Sequence, residues 1–150
     1  MTEVLFYHLQ NTTLDKVLPP LLEKTLERGW RAVVQAGSDE RVEALDSHLW
    51  IYRDDSFLPH GLARARDAAM QPVVLTVDAL NPNGAQVRFL LDGAPLPDDA
   101  EAYTRLVLVF DGEDADVVSA ARGHWTAARA RGFDVTYWQP DEHGRWQRKA

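Results

Sequence analysis

The chain has 150 residues and no cysteine, so a single domain is expected, and disulfides, thiolate metal sites and a cysteine nucleophile are excluded together. Hydrophobic residues make up 45% and charged residues 26%, the balance of an ordinary soluble globular protein, and no apolar run approaches the ~20 residues that a membrane helix needs. A net charge of −7 argues against a protein that wraps nucleic acid, because phosphate binding needs a basic surface.

Met1 to Leu9 lacks a basic region followed by an apolar stretch, so it does not read as a signal peptide, and a cytoplasmic protein is expected. Val4 to Leu9 (VLFYHL) predicts a first strand instead. Asn11, Thr12 and Thr13 offer cap chemistry, and Pro19-Pro20 are expected in a first helical turn, where proline costs little. Leu18, Leu21, Leu22, Thr25 and Leu26 recur at helical spacing up to Gly29, a C-terminal stop. Ala32 to Ala36 (AVVQA) predicts a second strand, and Ser38 caps a helix whose apolar face is Val42, Leu45 and Leu49, ending near Trp50. Ile51 to Met70 reads as a charged loop holding Pro59 and Gly61.

Val73 to Val77 and Val87 to Leu91 predict two strands, separated by the turn Asn81-Pro82-Asn83-Gly84. Leu106 to Phe110 (LVLVF) is the most apolar run and belongs near the sheet centre. Asp111 to Asp114 opens a helix running to about Arg131 and closed by Gly132, and Phe133 to Trp138 supplies a last strand. The tail from Asp141 to Ala150 is expected to add a turn and a short edge segment around Trp146. Strands alternating with helices over short loops imply one three-layer α/β domain over residues 1–150, with a mainly parallel sheet, helices on both faces and a C-terminal extension at 139–150.

The usual chemistry of such a sheet is missing. The first strand-to-helix turn, His8 to Thr13, has no glycine, so it cannot bring its backbone against a pyrophosphate. The second, Ala36-Gly37-Ser38-Asp39, has one glycine and no lysine. No histidine pair has the spacing of a zinc helix, and neither Ser38 nor Ser56 lies in a nucleophile elbow. No cofactor, metal or catalytic constellation is therefore expected. His8 stands at the end of a strand, where an α/β enzyme places a catalytic group, although a histidine bonded to its neighbours is the commoner outcome.

Charge is distributed unevenly. Residues 1–120 carry a net −10, whereas residues 121–150 carry a net +3 from Arg122, Arg129, Arg131, Arg145, Arg148 and Lys149. Solvated arginines on a helix would account for this, and so would a small dock for an acidic partner.

Leu45 onward reads LDSHLWIYRDDSFLPHGLA: Leu49-Trp50 at a helix end, then Ser56-Phe57-Leu58-Pro59-His60. This resembles the L-W…S-F-x-P-H element of the chi-subunit family of bacterial DNA polymerase III, the clamp-loader-associated polypeptide. Leu5-Phe6-Tyr7-His8-Leu9 resembles that family's first strand, and Gly132-Phe133…Tyr137-Trp138, after a helix with Arg122 and Trp125, resembles its close. The three elements stand in the family's order and span almost the whole chain.

The resemblance implies a Rossmann-like fold without catalysis or nucleotide binding. It also implies two partners: the psi subunit of the clamp-loader complex, and the acidic C-terminal tail of single-stranded DNA-binding protein, with DNA reached only indirectly. Trp50 and Phe57, with Pro59 and His60 shaping the loop, are the implied psi-binding surface. Arg122, Trp125 and Arg129, three and four residues apart, share a helix face and are the implied tail site, an arginine fork suiting a terminal carboxylate. The family's helix also carries lysines where this chain has Val118 and Thr126; Arg145, Arg148 and Lys149 are the nearest source of replacement charge. Two other classes stay open: a small enzyme with His8 or His60 in a cleft, and a direct single-stranded nucleic-acid binder using the basic C-terminal helix.

Overall fold

The computed structural model describes residues 2–52 and 58–150. The chain begins with β1 (Glu3–Leu9), α1 (Leu14–Glu27), β2 (Ala32–Gln35) and α2 (Asp39–Ile51). There follow β3 (Gly61–Leu62), β4 (Val73–Thr76), β5 (Val87–Leu90) and β6 (Arg105–Asp111). Last come α3 (Ala115–Ala130), β7 (Asp134–Pro140) and β8 (Trp146–Arg148). The strands form one sheet in the order β3-β4-β2-β5-β6-β1-β7-β8, parallel except for the antiparallel β7–β8 pair.

Alternation along the strands divides the core into two layers. Val4, Phe6, Leu106 and Leu108 pack with Ala121 and Ala128 of α3. Leu9, Val34, Leu75, Phe89 and Val107 pack with Leu14, Leu18 and Leu22 of α1 and Val42, Leu45 and Leu49 of α2. Because β6 is covered on both faces, Leu106 to Phe110 are all buried, as their unbroken apolar run predicts. The expected three layers are present.

Local signals set most helix ends. The Ser38 hydroxyl accepts from the Arg41 amide at 3.1 Å, and the Asp114 carboxylate accepts from the Asp116 and Val117 amides. Gly29 and Gly132, at φ +80° and +82°, take the left-handed turn that ends α1 and α3.

Two expectations need correction. Pro19-Pro20 lie inside α1, which begins at Leu14 after Thr13, and not in its first turn. The span from Ile51 to Met70 is not all loop, since Gly61–Leu62 pairs in parallel with β4 and a short helical turn covers Ala68–Met70. The expected edge segment around Trp146 is present as β8, which pairs with the end of β7, Gln139 opposite Gln147 and Pro140 opposite Trp146.

Arg88 is the one fully buried charged residue among the described residues. Its guanidinium donates to Gln35 Oε1 at 2.7 and 3.1 Å, to the Leu80 carbonyl at 2.9 Å, to the Tyr103 hydroxyl at 3.1 Å and to the Asp78 carbonyl. Five donors meet neutral acceptors in place of a carboxylate. The arrangement ties β5 and β2 to the loop beyond β4.

Candidate functional site

β1 and β6 are neighbours, yet the chain leaves β1 through α1 on one face and β6 through α3 on the other. This is the switch point at which α/β sheets open a crevice. A cavity of about 560 Å³ lies there, with a floor that includes Leu108 and Phe110. Its lining carries Asp92, Asp111, Glu113 and Asp116 against Arg41 and His124. The Gly37 amide, where a phosphate would look for a donor, already bonds Asp92 Oδ2 at 2.9 Å. Four carboxylates and an occupied amide oppose a phosphate ligand.

His8 is buried beside this crevice and does not line it. Its Nδ1 lies 2.6 Å from the Tyr137 hydroxyl, and a Cβ at Gly112 would collide with its ring. Burial pushes its pKa down, the Asp111 carboxylate pulls it up, and Arg122 pushes it down again. The ring is thus an interior partner of Tyr137 rather than a group presented to a cleft. His60 is likewise enclosed: Nδ1 donates to the Leu58 carbonyl at 2.7 Å, and Nε2 stands 3.0 Å from Asp46 Oδ1. Neither histidine sits as the enzyme reading requires, and among the described residues no group of three or more acidic or histidine side chains is placed to hold a metal.

Around His60 lies the first sequence-predicted surface. Trp50, at the end of α2, is 53% exposed, with its ring centroid 4.7 Å from that of His60. Pro59 is half-buried between the enclosed Leu58 and His60, so those two neighbours fix the loop. Ile51, 76% exposed beside Trp50, extends the apolar patch. Ile51 is not part of the motif that marks this surface, and its place directly after the helix-end tryptophan is the signal for it in the sequence. Phe57 lies outside the described residues.

The second surface is on α3. Ala121 and Ala128 are small enough to bring the helix close to the sheet, and Trp125 between them leans onto Phe6 and Tyr137, edge-on at 5.6 and 5.8 Å. Arg122 and Arg129 are exposed to either side, and the Arg129 guanidinium stands 5.9 Å from the Trp125 ring. No carboxylate among the described residues lies within ion-pair reach of Arg122 or Arg129. Arg131, by contrast, is committed to Glu101 at 3.0 Å and to the carbonyls of Pro97 and Asp98. Its charge is used inside the fold. Tyr137, which the sequence reading gave no role, joins Trp125, His8 and Phe110 in one aromatic cluster.

Comparison with known proteins identifies the family. The family described as DNA polymerase III chi subunit, HolC, matches residues 1–136. The chain is also similar to the probable DNA polymerase III subunit chi of Rickettsia prowazekii (strain Madrid E), at 25% identity over 117 residues, covering 74% of this chain and 71% of that protein. With the match running from β1 into β7 and through both surfaces, the chain belongs to the DNA polymerase III chi subunit family, accessory subunits of the replicative polymerase.

Proposed function

We propose that the protein is a non-catalytic bridge within the polymerase III holoenzyme. One surface, Trp50, Phe57, Pro59 and His60, binds the psi subunit and through it the clamp loader. The other, Arg122, Trp125 and Arg129, binds the acidic C-terminal tail of single-stranded DNA-binding protein. The observation that carries the reading is the separation of the two surfaces. α2 packs against β3 and β4 at one end of the sheet, and α3 packs on the other face against β6, β1 and β7. Two partners can therefore be held at once without contact.

Chemistry matches each surface to its partner. An exposed tryptophan beside an exposed isoleucine, at a helix end packed against a buried histidine, supplies the rigid apolar anchor that protein interfaces concentrate their energy on. Two arginines that meet no carboxylate among the described residues, flanking an indole, suit an acidic peptide that ends in an apolar residue and a free carboxylate. Co-elution with psi and a tail peptide tests the bridge. A ternary complex is expected, with Trp50→Ala releasing psi alone and Arg122→Ala releasing the tail alone. Loss of both partners from either substitution would refute two separate surfaces.

A further inference from the structure

On the α1 face the sheet is left open past β1, and a groove of about 510 Å³ runs there between α1 and the β7–β8 ribbon. Leu5 and Val107 contribute to its floor. Lys24 and Arg28 stand along the α1 side, with Arg105 at the start of β6. Tyr7, Trp138 and Trp146 line the opposite side, all half-buried. The Tyr7 ring lies nearly parallel to Trp138 at 6.3 Å and meets Trp146 edge-on at 4.8 Å. Near the lower end, the guanidiniums of Arg28 and Arg105 stand 4.2 and 5.3 Å from the Trp30 ring.

Two features set this groove apart from the rest of the surface. Its lining carries three cations against Glu27 alone, in a chain whose net charge is −7. Arg105 is partly offset by Glu3 at 3.4 Å, whereas Lys24 and Arg28 are exposed with no carboxylate in ion-pair reach among the described residues. Trp146 also lies beyond both residues 1–136, the span the family matches, and the strand close that resembles the family's. Strand β8 thus adds to the wall a ring, Trp146, that the family match does not explain.

We propose that this groove binds single-stranded nucleic acid, with bases stacked on the Trp138 and Trp146 side and phosphates along Lys24, Arg28 and Arg105. A strand lying lengthwise presents bases to one side and phosphates to the other, the same division of rings and cations that the two walls make. An acidic peptide would match the cations but would leave the indoles without flat partners. The groove lies on the opposite face from Arg122, Trp125 and Arg129, so the inference does not depend on the tail-binding reading. With only three cations and an acidic remainder, binding is weak, with a Kd of ~10⁻⁵ M at low salt.

The test is anisotropy of labelled oligo-dT with the full chain across a salt series. The double charge reversal Lys24→Glu/Arg28→Glu, at exposed positions that leave the fold intact by circular dichroism, is expected to weaken binding about tenfold or more. It should also flatten the log–log salt slope by about 1.4, the loss of two phosphate contacts on a single strand. Trp146→Ala should weaken binding about tenfold, and duplex DNA should bind less well than oligo-dT. Several results would overturn the proposal: no oligo-dT binding at low salt, equal binding of duplex, or a groove that takes an acidic peptide in preference to oligo-dT. So would oligo-dT binding that survives the charge reversal and is lost on Arg122→Ala/Arg129→Ala, which would assign it to α3.

Discussion

His48 Nε2 on α2 lies 2.7 Å from the backbone carbonyl oxygen of Asp15 on α1. That carbonyl is the one Pro19, four residues on, cannot satisfy, because proline has no N–H to donate. Since the carbonyl can only accept, Nε2 carries the hydrogen. A proline inside a helix normally costs ~3 kcal/mol, partly through such an orphaned acceptor, and here a neighbouring helix supplies the missing donor.

His48→Ala should therefore destabilise the protein by about 1 kcal/mol in urea titrations, the usual net value of a hydrogen bond. In a Pro19→Ala background the helix regains its own donor at position 19, so the same substitution should cost measurably less. A double-mutant cycle with no coupling would show that the value of the His48 contact does not depend on the donor missing at Pro19.

Arg88→Ala should be far more damaging, by about 3 kcal/mol or more, because it strips the donor from Gln35 and the Leu80 and Asp78 carbonyls and leaves a cavity. Thermal melting would detect it directly. A substitution here with a small effect would mean that water replaces the guanidinium.

For Trp50→Ala the expectation is reversed. The ring is more than half exposed, so the melting temperature should stay nearly constant while psi affinity falls by ~2 kcal/mol. A steep loss of stability with psi binding unaltered would make Trp50 a packing residue.

On α3, Arg122→Ala should reduce tail-peptide affinity more than Arg129→Ala, because Arg122 stands by the half-buried Tyr137 and the buried His8 whereas the Arg129 guanidinium is spent on the Trp125 face. Arg122→Lys should not rescue fully, since an ammonium cannot form the planar fork. Rising salt should weaken every variant that still binds, screening acting over ~10 Å at 0.1 M. Equal affinities for wild type and all three variants would move the tail site elsewhere.

His8 reports on the same region. Burial chiefly holds its pKa below the ordinary value of about 6.5, so the folded protein resists the proton that the unfolded chain takes up. Stability from this source is intact above pH ~6.5 and is lost as pH falls from there through the lower folded value. His8→Phe should flatten that part of the stability curve. A carboxylate docked on Arg122 would offset the charge that depresses His8, so tail binding should raise the His8 pKa in an NMR titration. An unchanged value with the tail bound would place its carboxylate away from Arg122.

Much of this molecule is legible from local signals. The strand and helix order, the caps at Ser38 and Asp114 and the stops at Gly29 and Gly132 depend on residues within a turn of one another. The shared face of Arg122, Trp125 and Arg129 follows from helical spacing alone. The motifs from which the two candidate surfaces are proposed are likewise short stretches of sequence.

What the sequence could not determine depends on residues that meet only after folding. Pro19 could enter a helix because its donor comes from His48 in a different helix, so helix propensity misplaced the start of α1. His8 became an interior group because Tyr137 and Gly112 close around it from β7 and from the end of β6. Arg131 and Arg122 look alike along the chain, but only the first finds Glu101, which decides which arginine faces solvent with its charge unmatched. The same holds for the groove, whose cations come from α1 and β6 and whose rings come from β1, β7 and β8. Spacing in sequence sets the faces of each element, whereas the charge and shape of a surface are set by which elements the sheet order makes neighbours.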